Sequence, residues 1–528
     1  MRIINVKIKN YKSLKEVDIN FTDHFALVWF NCAGKSNILR AINFVLGESY
    51  PMWQKLSKKD FFNEDENNKI NIQIQFDENI HWTNWRWEPH KWNIIEFWYD
   101  NSKSNYSLRL ISTDGEYFYL NDEQRKEVAC IYISANRDFQ KNLESKSEWS
   151  ILWKIINYFN EHFPEEKIDE LNTKFEELKQ ILEEESFIEF ERELQSSFSK
   201  SMLKDNLDLN LEIKTFNPKS FYKTIELIPE EVWDIKDLDQ LGDGLKNSIL
   251  FSLIQTYSKV VRSCSIFLIE EPEIYLHPQA RLDMYNQFKS MCADNWSQII
   301  YTTHSQEILH TDDFEKIWVV RKIDWESKIS QIQDNFIEYW EEKIWHSSDL
   351  EQIKNFISTV SDAETNKWFF AKKIIIVEWL TEKWSLPIFA KKFWLYFEKE
   401  NFEIISCWWK ENISTFYNLF IYLGYEIYVI FDADKEEDNE KNEKIINLIS
   451  DDKYQYDTKI TDKYCMFQKN FDKELEQSLW DKFTKLKSLC HNSGKKHILS
   501  KHIAINLTDK EIPSYIKLIL GKIFLVTI

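Results

Sequence analysis

The stretch that most constrains this chain is residues 25–36, FALVWFNCAGKS. Phe25 to Val28 is an apolar run that reads as a short strand, and Asn37 to Leu46 reads as a helix. The loop between them ends in Gly34, Lys35 and Ser36. A strand, a tight loop and a helix N-terminus in that order make a cradle for phosphates, because the free N–H groups point at the anion. In such a loop Lys35 reaches the β- and γ-phosphates and the Ser36 hydroxyl sits on Mg²⁺. One position departs from the pattern G-x-x-x-x-G-K-[ST]: Trp29 stands where its first glycine belongs. A chance Gly-Lys-Ser behind an apolar run is the competing reading.

Composition bears on that departure. The chain has 8 Gly and 22 Trp, whereas ordinary usage puts roughly 37 glycines in a chain this long. Together the two types number 30, close to an ordinary glycine content. We therefore expect many of these tryptophans to be glycine positions, encoded by UGA in an organism that decodes it as glycine. The alternative is a truly Trp-rich, Gly-poor protein.

At 528 residues the chain has room for two to four domains. Its 43% hydrophobic and 29% charged content is that of a soluble globular protein. No apolar run approaches the roughly 18 residues of a membrane span, and MRIINVKIKN lacks a signal-peptide layout. Seven scattered cysteines without a C-x-x-C pair argue against a zinc or disulfide framework, so a cytoplasmic, membrane-free protein is expected. Net charge of −20 argues against binding nucleic acid over the whole surface. The sign reverses locally: 481–528 carries nine Lys against Asp481, Asp509 and Glu511. That stretch is either a solvated Lys-rich face or a basic groove.

Alternation in residues 1–30 reads as an antiparallel pair leading into the phosphate-loop strand, and Ile70 to Phe76 as a further strand. More strands follow in 92–120, and Val128 to Ser134 reads as a buried one. From 148 to about 205 the period changes, with Ile168, Leu171, Phe175, Leu178 and Leu182 at 3-4-3-4 spacing. That is an amphipathic helix packed on its own domain, or an inserted arm used for dimerisation. Residues 240–305 return to α/β character. Lys373–Val377, Phe402–Ser406 and Ile427–Phe431 are short apolar strands separated by helical stretches, the pattern of a parallel sheet.

Two constellations carry chemistry. Ile266 to Glu271 is a strand ending in two carboxylates, at the crevice where α/β sheets bind ligands. Glu270 there would hold Mg²⁺ beside Ser36, and Glu271 would orient or deprotonate the attacking water. Further on, Glu378 and Glu382 lie four apart at a strand-to-helix junction, and Asp432 and Asp434 two apart at a strand end. Such oxygen ligands suit Mg²⁺ or Mn²⁺, which can clamp an in-line displacement at phosphorus. Scattered surface acid is the competing reading in a chain with 87 Asp and Glu.

The first constellation resembles the ABC-type ATPases of the RecF/SMC kind. Trp29–Ser36 matches Walker A, Leu241–Lys246 (LGDGLK) the signature loop, Ile266–Glu271 Walker B, Pro272–Pro278 the D-loop, and His304 the switch histidine. The resemblance implies ATP contacted by Trp29, Asn31, Gly34, Lys35, Ser36 and Asn37, with Gly242 and Gly244 closing over the γ-phosphate of a second subunit. A homodimer or higher homo-oligomer follows. Cys32 and Gly242 depart from the family, where Gly and Ser are common. With Trp379, Trp408 and Trp409 read as glycine, VEWLTE and SCWWKENI resemble the E-G-x-x-E strand end and G-G turn of the Toprim fold. An ABC-type ATPase followed by Toprim is similar to the OLD family of ATP-dependent endonucleases over nearly the whole chain.

That resemblance implies an α/β protein whose ATPase domain is interrupted: its first segment is 1–147, a helical insert occupies 148–215, and its second segment is 216–345. A Toprim-like parallel-sheet domain in 346–528 follows. The resemblance implies Glu271, His304, Glu378, Glu382, Asp432, Asp434 and Lys496 as catalytic residues. The implied metal ligands are Ser36, Glu270, Glu378, Glu382, Asp432, Asp434 and Asp472. Glu474 and Glu476 rival Asp472, and Lys495 rivals Lys496. The expected activity is ATP-binding, Mg²⁺- or Mn²⁺-dependent cleavage of DNA, with a role against phage and an unknown partner protein. The competing functions are a repair or chromosome-maintenance ATPase, and a nucleotide-gated sensor whose Toprim site is inactive.

Overall fold

The computed structural model describes residues 1–80, 92–162, 225–331 and 365–527, apart from 22, 29–32, 102–104, 144–149, 226, 232–233, 236–237, 262–264, 435–438 and 492, with scattered positions between. Strands β1 (Ile3–Tyr11) and β2 (Leu14–Asn20) form the expected antiparallel pair, with Val6 opposite Ile19 and Ile8 opposite Val17. Their alternating apolar residues are buried on one face, which fixes the register. Strand β3 (His24–Val28) is buried along its whole length and leads to helix α1 (Lys35–Leu46). Strands β4 (Ile70–Phe76), β5 (Trp92–Asp100), β6 (Asn105–Ser112) and β7 (Tyr117–Tyr119) extend the first sheet in the order β2-β1-β4-β5-β6-β7.

A second sheet is built around β3. Its members are β3, β8 (Cys130–Ile133), β9 (Ile266–Glu270), β10 (Gln298–Thr303), β11 (Ile317–Ile323) and β12 (Glu326–Ser330), ordered β12-β11-β3-β10-β9-β8. All neighbours pair in parallel except β12, which returns antiparallel to β11. Parallel strands covered on both faces need unbroken apolar runs, and β3, β9 and β10 are buried at every residue. Helix α2 (Ile151–Glu161) falls within the stretch expected to be an insert, and its Ile151 and Ile155 join the core shared with the first two sheets. The heptad seam 168–182 lies almost entirely outside the described residues. Helices α3 (Asp243–Thr256) and α4 (Pro278–Asn295) flank the Walker B strand in sequence.

The C-terminal region is built on a third sheet. It starts with β13 (Lys373–Val377), followed by α5 (Leu380–Lys391), β14 (Phe402–Ser406), α6 (Lys410–Tyr422), β15 (Glu426–Asp432) and α7 (Asn439–Ile449). Strands β16 (Lys459–Ile460) and β17 (Tyr464–Phe467), which sequence reading did not anticipate, complete the order β14-β13-β15-β17-β16. Helices α8 (Phe471–Leu479), α9 (Asp481–Leu489), α10 (Lys496–Asn506) and α11 (Ser514–Phe524) follow. Strand β13 divides its apolar residues between two cores. Ile374 and Ile376 join the cluster continuous with the first two sheets, while Ile375 and Val377 join the one beneath α5 and α8–α11. Period-2 alternation thus binds the third sheet to the rest of the molecule on one side and to its own helices on the other.

Candidate active site

At the C-terminal ends of β3, β9 and β10, three side chains from distant segments meet. Gly34 precedes α1 at φ +106, a conformation natural to glycine. A Cβ there would also lie 2.1 Å from Ser327 Oγ and 2.7 Å from Ser13 Oγ. Ser327, at the start of the returning strand β12, donates to Ala33 O at 2.7 Å, and Asn37 Nδ2 donates to Ser13 Oγ at 2.8 Å. The end of the phosphate loop is therefore braced by two hairpins. Lys35 is buried, and its Nζ donates to His304 Nε2 at 3.0 Å. Glu271 Oε1 stands 3.7 Å from the same nitrogen. Burial, then the charge of Lys35, holds the His304 imidazole down to about 4, so it is neutral at pH 7 and accepts from the ammonium.

Glu270 ends β9 buried, accepting from Ala135 N–H at 3.1 Å with Arg40 Nη2 at 3.5 Å. Ser36 is half-buried in the first turn of α1. Gly242 caps α3 at its N-terminus, and Gly244 lies in the first turn, where a Cβ would meet Tyr275 O at 2.8 Å. Trp29 and Asn31 lie outside the described residues. Two residues that sequence reading missed hold this end of the sheet together. Glu273 Oε1 accepts from Thr303 Oγ1 at 2.8 Å and from His304 N–H at 2.7 Å, fixing the turn that presents the histidine. Arg137 donates to Glu271 O at 3.0 Å and to Asn247 Oδ1 at 3.3 Å. The second Glu of EPE was the available signal for Glu273; Arg137 had none, since these two partners lie more than a hundred residues away.

The second site opens at the C-terminal ends of β13 and β15. A cavity of ≈ 350 Å³ is lined by Glu382, Asp432, Asp434, Asp472 and Lys496, together with Trp379 and Trp408. Glu378 lies just behind, its Oε2 accepting from Asp432 N–H at 3.0 Å. Asp432 Oδ1 accepts from Phe471 N–H at 3.2 Å. Asp472, in the first turn of α8, accepts from Ser500 Oγ at 2.9 Å and has Lys496 Nζ at 3.9 Å. Its rival Glu474 instead accepts from Thr458 Oγ1 at 3.1 Å. Lys496 begins α10 and lines the cavity, whereas Lys495 is the preceding cap residue.

Electrostatics mark this second cavity as short of positive charge. Burial, foremost, pushes Glu378 up to about 7 and Glu382 up to about 8, with neighbouring carboxylates adding to both. Asp432 is raised well above the usual carboxylate range, by burial and then by Glu382 and Glu378. Glu382 Oε2 is buried without a hydrogen-bond partner. An unpartnered carboxylate oxygen among mutually repelling acids fits a hard divalent cation. Among the described residues no three such groups already converge at ligand distance. Glu378 and Asp432 are turned onto backbone N–H groups, and Asp434 is turned onto Lys410 Nζ at 3.0 Å.

Fold and sites together define a P-loop ATPase joined to a parallel-sheet domain with an acidic, cation-seeking cavity. Family comparison agrees in both halves. An AAA ATPase domain model matches residues 1–128 and 90–309, and an "Overcoming lysogenization defect protein-like, TOPRIM domain" model matches 369–434. The chain belongs to the AAA ATPase domain family and carries an OLD-like Toprim domain behind it. An OLD nuclease of Thermus scotoductus is 24% identical, covering 81% of this chain and 81% of its own. Endonuclease GajA of Bacillus cereus is 20% identical over 72% of this chain and 66% of its own. The Old nuclease of Escherichia phage P2 is 22% identical over 58% and 57%. Among solved structures, an SMC head bound to the C-winged helix domain of ScpA aligns at TM-score 0.42 and 18% identity, covering 64% of this chain and 100% of that one. Among the described residues no helix is long and apolar enough to cross a membrane.

Proposed function

We propose that this enzyme is an ATP-dependent, divalent-metal-dependent DNA endonuclease. The observation that carries the reading is the single cavity shared by Glu382, Asp432, Asp434, Asp472 and Lys496, drawn from separate stretches of chain. Glu378, Glu382, Asp432, Asp434 and Asp472 are the residues to hold Mg²⁺ or Mn²⁺. Such ions, when bound, supply charge stabilisation at phosphorus and an acidified water. Lys496 holds a non-bridging oxygen of the scissile phosphate, and the Lys-rich 481–528 stretch carries the backbone on either side.

In the ATPase half, Lys35 binds the β- and γ-phosphates, with Ser36 and Glu270 for Mg²⁺. Glu271 orients the attacking water, and neutral His304 lies between it and Lys35. Gly242 and Gly244 reach the nucleotide of a second copy, so the working form is a homodimer or higher homo-oligomer, with the 148–215 insert as its arm. A role against phage fits a family model named for lysogenization and a relative of phage origin. The test is closed-circular plasmid with ATP and Mg²⁺ or Mn²⁺. Nicked or linear product that chelation abolishes is expected; intact circles under every metal condition overturn the endonuclease.

A further inference from the structure

Lys410 has no assigned role in the motif SCWWKENI, yet it lies beside the acidic cavity, paired with Asp434, which lines it. It is the first residue of α6, where a positive charge opposes the helix dipole, and it is buried. A lysine is held in such a place when an anion compensates it. Its Nζ lies 3.0 Å from Asp434 Oδ2, and its charge acts on Glu378 as well. Asp434 meanwhile adopts φ +60, a left-handed backbone that aspartate tolerates at some cost. We propose that Lys410 is a tethered counter-cation, a positioning residue that holds Asp434 until a metal takes it over. Its ammonium is then released toward the phosphate oxygens of DNA lying across the same cavity.

The inference rests on the cavity being a metal site, and the experiment separates the two. Mn²⁺ is titrated calorimetrically into the full chain without DNA, using wild type, Lys410→Met, Lys410→Gln and Asp434→Asn. Removing the competing ammonium should tighten Mn²⁺ binding about tenfold in both Lys410 variants, while plasmid cleavage falls. Asp434→Asn should weaken it. Equal or weaker Mn²⁺ affinity in a folded Lys410→Met or Lys410→Gln protein overturns the counter-cation role and leaves the metal site standing. Wild type that binds no Mn²⁺ overturns both.

A second inference rests on backbone conformation alone. Among the described residues five tryptophans have positive φ: Trp296, Trp325, Trp394, Trp408 and Trp480. All are exposed, so burial of the indole does not repay the strain. Trp394 follows α5 with its N–H on Lys391 O and the next N–H, of Leu395, on Ala390 O. Gly424 follows α6 in the same way, its N–H on Ile421 O and that of Tyr425 on Phe420 O. Both are the left-handed position of one helix-ending motif, whose ordinary occupant is glycine. Asp324 and Trp325 form the two-residue turn between β11 and β12, with Ile323 opposite Glu326 and φ of +46 and +69. That is an Asp-Gly hairpin geometry. Trp480, at φ 39 and ψ −111, lies where glycine alone is at ease.

We infer that these five positions are glycine in the polypeptide its own cells make, which supports the recoding expected at Trp408 and extends it to Trp296, Trp325, Trp394 and Trp480, four sites with no motif. Trp318 is different: it is buried in β11 against Phe21 and Phe25, and it remains tryptophan. Sequencing of the gene should find UGA at 296, 325, 394, 408 and 480 and UGG at 318, and peptide mass spectrometry of the native protein should find glycine at the five. UGG codons or tryptophan-containing peptides at those positions overturn the inference.

Discussion

At the scale of single residues, the account turns on charges held close together. Lys35 is the main cation of the phosphate loop, so Lys35→Ala should abolish ATP binding measured by equilibrium titration. Glu271→Gln should leave binding intact but slow phosphate release, because the water loses its acceptor. His304 supplies a pH signature. Its folded value of about 4 lies below the ordinary 6.5, so between those values the unfolded chain binds a proton that the folded chain does not. Stability therefore rises with pH through that window and is lost as pH falls through it. Comparing denaturant unfolding at pH 7.5 and pH 5, His304→Gln should shrink the pH effect by about 2 kcal/mol. An unchanged difference would mean the imidazole is not desolvated beside Lys35. Sequence patterns singled out Lys35, Glu271 and His304 because each follows a recognisable strand. Glu273 and Arg137 escaped, since their work is hydrogen bonding between segments that meet only in the fold.

At the scale of elements, legibility followed burial pattern. Strands β4, β13 and β14 run from the same first to the same last residue as their apolar runs, because each run is bounded by polar or charged residues. Strand β17, YCMF, is too short and lies too near polar loops to stand out. The β11–β12 hairpin was hidden because Asp followed by Trp at its turn carries no hairpin signal. That hairpin matters, since Ser327 closes on Ala33 and Gly34. Gly34→Ala should therefore cost about 1–3 kcal/mol in unfolding free energy, from the φ and the displaced serines. On α10, Lys496→Ala should lower cleavage strongly and flatten its salt dependence, whereas Lys495→Ala, outside the cavity lining, should lower cleavage far less. Equal effects of the two would move the phosphate contact off the cavity wall.

At the scale of the molecule, the two halves share a core and a hydrogen-bonded seam. Asn366 Nδ2 donates to Leu309 O at 3.0 Å, just beyond the histidine turn, and the His304 ring lies 6.5 Å from that of Phe370. Arg321 of β11 lies 3.9 Å over the Tyr425 ring before β15. The turn that carries His304 thus bears on the segment that leads into β13 and Glu378. Coupling of this kind is a free energy shared by two sites, so Asn366→Ala should diminish the effect of ATP on cleavage while hydrolysis continues.

The central claim is that two chemistries reside in two separate sites of one chain. Asp434 stands at the cavity between β13 and β15, far in sequence from Lys35, Glu271 and His304. The most direct measurement is plasmid nicking and phosphate release followed on one preparation of Asp434→Ala. The prediction is loss of cleavage with ATP hydrolysis close to wild type. Cleavage at the wild-type rate in that variant would contradict the account.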